Sequence, residues 1–136
     1  MSDPVFVIDD DEFFRQFLTS LLRRQGHEVQ SYSSAREAIR ALRREKAAVV
    51  ISDLYMPEMD GIEVMDTLRS EFPLIPVIAL SGSIDDSIEA CLKLMTVMGA
   101  YAVFRKPLDE TAFLAAVDTA RASKSGRPAR IRDATT

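Results

Sequence analysis

The sequence predicts an α/β domain in which helices cover both faces of a parallel β-sheet. Three observations lead there. Five short strand-like runs alternate with five helical segments along the 136 residues. The runs at residues 5–8, 47–52 and 76–80 are almost continuously apolar, as strands buried on both faces should be. The length suits a single domain with a core of its own, and right-handed crossovers leave few topologies for such an alternation.

The elements read in order as follows. Val5–Ile8 is an apolar, largely β-branched run closed by Asp9-Asp10-Asp11. Phe13, Phe14, Phe17, Leu18, Leu21 and Leu22 recur at helical spacing up to Gly26, a helix stop. Residues 28–32 form a weaker strand. Ser34 with Glu37 three positions on is a capping-box signature, and it opens a helix carrying Ala38, Ile39 and Leu42. Residues 47–52 run into Asp53. A loop over residues 54–61 is punctuated by Pro57 and Gly61, and Ile62, Val64, Met65 and Leu68 mark the third helix. Residues 76–80 end at Ser81-Gly82. A fourth helix over 85–98 stops at Gly99, and a fifth strand over 101–105 is closed by Lys106-Pro107. Asp109 caps a last helix that runs to about Ala122.

Composition narrows the function classes. Hydrophobic residues are 47% and charged residues 28% of the chain, ordinary for a globular domain and unlike a disordered one. The lone cysteine, Cys91, excludes an internal disulfide and a cysteine metal cluster. The apolar runs fall far short of the roughly 18 residues that span a membrane. The N-terminus lacks a signal-peptide pattern, so a cytoplasmic location is expected and no membrane partner. The net charge of −4 is uneven. An acidic body over residues 1–120 is followed by Arg121, Lys124, Arg127, Arg130 and Arg132 against a single Asp133. Such a body does not suit direct nucleic-acid binding. The domain is expected over residues 1–122, with a basic tail or the start of a linker over 123–136. There is neither a G-x-x-x-x-G-K-[ST] nor a G-x-G-x-x-G nucleotide motif. The only histidine, His27, has no metal-ligand spacing and is expected on the surface.

In open α/β sheets, ligands bind beyond the carboxyl ends of the strands. There the sequence places Asp9 and Asp10 after the first strand, Asp53 after the third, Ser81 after the fourth and Lys106 after the fifth. Singly, each is an ordinary cap or turn residue. Together they form a set with a chemistry. Three carboxylates in one pocket repel, by on the order of 4 kcal/mol per pair at ~4 Å and an effective dielectric of about 20. A hard divalent cation such as Mg²⁺ relieves that conflict and often shares its shell with a phosphate. A carboxylate can carry a phosphoryl group, and a lysine and a hydroxyl can stabilise its oxygens.

The segments Val5-Phe6-Val7-Ile8-Asp9-Asp10-Asp11, Asp53-Leu54-Tyr55-Met56-Pro57-Glu58-Met59-Asp60-Gly61, Ala79-Leu80-Ser81-Gly82 and Lys106-Pro107-Leu108 resemble the receiver domain of two-component response regulators. The resemblance covers residues 3–121. It implies a flavodoxin-like doubly wound (βα)5 fold with a five-stranded parallel sheet in the order 2-1-3-4-5. It implies Asp53 as phospho-acceptor; Asp9, Asp10, Asp53 and the Tyr55 backbone carbonyl as ligands of Mg²⁺, with Mn²⁺ as an alternative; Ser81 and Lys106 as partners of the phosphoryl group; and Pro107 as a cis proline. The implied donor is a phosphohistidine on a sensor histidine kinase or a histidine phosphotransfer protein. The chain would be a phosphoacceptor that gains and loses its own phosphoryl group, not a turnover enzyme. Its output would be a conformational change read by a downstream protein or by an effector domain outside this sequence. The fourth helix, fifth strand and fifth helix would be the readout face and a candidate homodimer surface.

Two departures from the family pattern stand out. The position three before the lysine, usually Tyr or Phe, is Val103, which cannot make the inward swing that couples the pocket to the readout face. Tyr101, two positions earlier, is a candidate substitute if period-2 alternation keeps it on the same side of the strand. The interval from Ser81 to Gly99 is also longer than usual. Tyr55 and Ser83 occupy positions that tune dephosphorylation, and neither offers a base to activate water, which predicts a long-lived phospho-Asp53. The competing reading is a receiver-like interaction module that works without phosphorylation; the complete pocket set argues against it.

Overall fold

The strands Val5–Ile8, Val49–Asp53 and Val77–Ser81 are apolar, largely β-branched runs buried along their whole length, and the helices that follow Asp11, Ser34, Asp60 and Asp109 each begin at an acidic or hydroxyl cap. The computed structural model describes residues 3–54, 60–82 and 88–123. The order is β1 (Val5–Ile8), α1 (Glu12–Arg24), β2 (Val29–Tyr32), α2 (Ala35–Leu42), β3 (Val49–Asp53), α3 (Gly61–Glu71), β4 (Val77–Ser81), α4 (Ile88–Val97), β5 (Ala102–Arg105) and α5 (Glu110–Ala122). The caps follow the local chemistry. Asp11 accepts from the Phe13 and Phe14 amides, Ser34 from Glu37, Asp60 from Glu63 and Asp109 from Ala112. Gly26 and Gly99, just beyond α1 and α4, have φ of +90° and +104°, which glycine adopts without steric cost.

The strands pair in parallel in the order β2-β1-β3-β4-β5, as the family resemblance implies. Strand alternation splits the core in two. Phe6, Ile8, Val50, Val77, Ala79 and Val103 pack with α2, α3 and α4 residues such as Ile39, Met65, Leu68 and Met95. Val5, Val7, Val49, Ile51, Ile78 and Leu80 pack on the opposite face with Leu18, Leu22, Phe113 and Val117 of α1 and α5. The four strands β1, β3, β4 and β5 thus deliver their carboxyl ends to one edge.

The structure corrects two expectations. Tyr101 and Val103 do not share a side of the sheet: Val103 packs with the α2/α3/α4 layer and Tyr101 with the α1/α5 layer. The strand starts at Ala102, so the alternation does not extend back through the bend that holds Tyr101. The geometric premise for Tyr101 as a substitute for the missing aromatic is therefore lost. His27 is not a surface residue. Its side chain is 7% exposed, with Nε2 3.0 Å from Asp118 Oδ1, while Arg121 Nε donates to its Nδ1 at 3.2 Å. Both partners come from α5, so neighbouring sequence holds no hint of the contact.

Gly61 marks a close approach. A Cβ there would lie 2.9 Å from the Leu54 carbonyl oxygen and 3.1 Å from the Leu54 Cα. Backbone cannot yield as a side chain can. Gly61→Ala is expected to destabilise the fold by about 1–3 kcal/mol, read as a lower urea midpoint with an unchanged m-value.

Candidate functional site

Parallel register assembles the site. Ile8 pairs with Ser52, so Asp9, the next residue after β1, comes beside Asp53, the last residue of β3. Ser81 pairs with Arg105, and the Lys106 amide donates to the Ser81 carbonyl at 2.8 Å, which starts the Lys106 side chain above the same edge. Its stem passes over Gly82, where a Cβ would sit 3.4 Å from Lys106 Cδ. The Lys106–Pro107 peptide is cis.

The side chains meet. Lys106 Nζ donates to Asp9 Oδ2 at 3.0 Å and to Asp53 Oδ2 at 2.9 Å. Asp9 is fully buried, Asp53 nearly so, and Asp10 is exposed at the rim. Asp9 is held further by the Asp11 amide, which donates to its Oδ1, and by Arg15 Nη1, which donates to its carbonyl oxygen. One carboxylate oxygen from each of Asp9, Asp10 and Asp53 lies within 4.8 Å of the others. Ser81 Oγ is buried and has no hydrogen-bond partner among the described residues. A buried hydroxyl without a partner is costly, and here it lies at the end of the strand beside Asp53.

The charges explain what this pocket suits. With all three acids ionised, a single ammonium leaves two negative charges uncompensated, and the donor set is all oxygen. That matches a small hard divalent cation such as Mg²⁺; Mn²⁺ suits the same donors. Burial pushes the Asp9 carboxyl above its ordinary value, and the nearby Asp53 charge adds to that; the Asp11 amide and Lys106 only partly oppose it. Burial alone would lower the Lys106 ammonium, but its bonds to Asp53 and Asp9 outweigh that and hold it above its ordinary value.

Of the residues singled out from sequence, Asp9, Asp10, Asp53, Ser81 and Lys106 come together here. Val103 is buried in the core, 8% exposed. Tyr55 and Ser83 lie outside the described residues, as does most of the basic tail. Sequence reading missed Phe14, whose ring centroid lies 4.1 Å from Lys106 Nζ. Its place in the apolar periodicity of α1 marked it only as core. The sign of the Asp9 shift carries a prediction. An acid raised in the folded state contributes stability while protonated and loses it as pH rises through the raised value. Asp9→Asn is therefore expected to raise the melting midpoint of the metal-free protein at pH 7, by roughly a few °C. That gain should shrink as pH falls toward the ordinary carboxylate range, and added Mg²⁺ should stabilise the variant less than the parent.

Comparisons with known proteins agree with this geometry. The family model described as the response regulator receiver domain matches residues 5–118. The chain is 36% identical over 118 residues to the transcriptional regulatory protein GlrR of Escherichia coli, covering 85% of this chain and 26% of that protein. It is 34% identical to the response regulator protein FleR of Pseudomonas aeruginosa, covering 84% and 24%. The chain thus spans about a quarter of the length of these relatives. A receiver domain protein from Clostridium thermocellum superposes with a TM-score of 0.80 at 28% identity, covering 88% of this chain and 94% of that one. The beryllofluoride-activated NtrC4 receiver domain dimer gives 0.75 at 26% identity, covering 88% and 96%. With the acids, the hydroxyl and the lysine gathered at one sheet edge, the chain belongs to the response regulator receiver domain family.

Proposed function

We propose that this domain takes a phosphoryl group from a phosphohistidine donor onto Asp53 in a Mg²⁺-dependent step and signals through the resulting change of conformation. The observation that carries the reading is the shared ammonium: Lys106 bridges Asp9 and Asp53, while Ser81 Oγ stands buried without a partner among the described residues. Asp53 is the nucleophile. One of its carboxylate oxygens bonds to phosphorus as the P–N bond to the donor imidazole breaks. Lys106 supplies positive charge to the phosphoryl oxygens, and Ser81 Oγ donates to one of them. Such preorganised donors work strongly in a partly water-excluded site. Asp9, Asp10 and Asp53, with the Tyr55 carbonyl, would hold Mg²⁺. When bound, the ion would neutralise charge on the phosphoryl oxygens. The chain is then a phosphoacceptor that turns over its own modification.

The donor is a histidine kinase or a histidine phosphotransfer protein, and the location is cytoplasmic. Among the described residues no helix is long and apolar enough to cross a membrane. The output is a partner protein or an effector domain beyond this sequence, reached through α4, β5 and α5, with self-association through that face as one form of it. The modification acts by its different contacts with two conformers. Val103 supports a second reading, because a buried valine cannot carry the aromatic swing; a phosphorylation-independent interaction module would keep the fold and lack the response.

Intact-mass measurement after incubation with acetyl phosphate and Mg²⁺ separates the two. The expected result is a gain of one phosphoryl mass, roughly 80 Da, in the parent, absent in Asp53→Asn and abolished by a chelator. An unmodified but folded parent overturns the phosphoacceptor reading. Lys106→Ala is expected to slow the gain about 10²–10³-fold, the usual cost of removing one transition-state donor, in a time course of the same mass shift.

A further inference from the structure

The ring of Phe14 lies beneath a charge that the proposed chemistry depends on. Phe14 sits in the first turn of α1, capped by Asp11. Side chains on a helix lean toward its N-terminus, and here that direction leads to the carboxyl end of β1 and the pocket. The ring makes a tilted contact with Phe17, with centroids 5.7 Å apart, and packs against the α1/α5 side of the core. Its face is therefore held in place before Lys106 meets it at 4.1 Å.

We propose that Phe14 is a positioning residue for Lys106, its ring face holding the ammonium at the Asp9–Asp53 pair; this rests on the reading of Lys106 as the partner of the incoming phosphoryl group. What the ring adds is persistence. A lysine stem is long and flexible, and two carboxylates anchor its tip. Both anchors belong to the set that suits a divalent cation, and Asp53 also carries the oxygen that forms the new bond. Each therefore changes its charge or its partners during the reaction. The aromatic face is neutral and attracts a cation whatever happens at the acids. It also shields one side of an ammonium whose side chain is only 19% exposed.

The test compares Phe14→Leu, which keeps an apolar side chain but removes the ring, with Phe14→Tyr, which restores the face. The first readout is the Lys106 Cε–Hε resonance by NMR in the metal-free protein. A ring-current shift should be present in the parent, lost in Phe14→Leu and kept in Phe14→Tyr. The second readout is the initial rate of phosphorylation by acetyl phosphate with Mg²⁺ present. Phe14→Leu is expected to be about 2- to 30-fold slower, the range set by the strength of a cation–π contact, and Phe14→Tyr within about twofold of the parent. Urea midpoints establish that both variants are folded; should Phe14→Leu not fold, Phe14→Met takes its place. A parental rate in the ring-less variant, or a Phe14→Tyr as slow as it, overturns the proposal. A parent that takes no phosphoryl group removes the phosphoacceptor reading instead. The NMR comparison then decides alone: a Lys106 resonance unmoved by loss of the ring overturns the holding contact, and the expected pattern upholds it.

Discussion

One ammonium shared between two buried carboxylates organises this molecule. Lys106 reaches from the end of β5 to Asp9 beyond β1 and to Asp53 at the end of β3. Without it, the two acids would face each other in a poorly solvated pocket, where like charges repel strongly. With it they are held together but not neutralised, because one ammonium cannot balance two carboxylates and Asp10 adds a third acid at the rim. That residual imbalance is the chemical property of the site: an all-oxygen donor set with excess negative charge suits a divalent cation. Removing the ammonium from this set would leave two buried acids without compensation, the costly direction of change.

The rest of the fold serves that arrangement. Parallel strands deliver chemistry-bearing side chains to one edge because each crossover returns the chain through a helix to start the next strand at the same end. Two core layers, split by strand alternation, hold the register on which the geometry depends. Small features refine it: the Asp11 amide on Asp9, the glycine beneath the lysine stem, and the glycine that lets α3 start against Leu54. Arg105 pairs with Glu89 across β5 and α4, which ties the end of the strand that leads into Lys106 to that helix.

Much of this was legible in the chain. Strand runs, caps at Ser34 and Asp109, and helix stops at Gly26 and Gly99 are local features, and local features survive in sequence. The five site residues were legible for a related reason. Each follows a strand, and in a parallel sheet that alone gathers them at one edge. The D-x-x-M-P-x-M-D-G stretch then named the family.

What tertiary structure alone decided are the contacts between residues distant along the chain. The His27 side chain is covered because α5 brings Asp118 and Arg121 to it. Tyr101 falls on the opposite side of the sheet from Val103 because β5 starts only at Ala102 and the bend before it breaks the alternation. Phe14 lies over Lys106 because α1 and the β5–α5 connection meet at the pocket from positions 92 residues apart in the sequence. Sequence encodes which residues are apolar, charged or turn-forming, since those properties act through the backbone nearby. It does not display which of them touch, because that depends on the path of the whole chain.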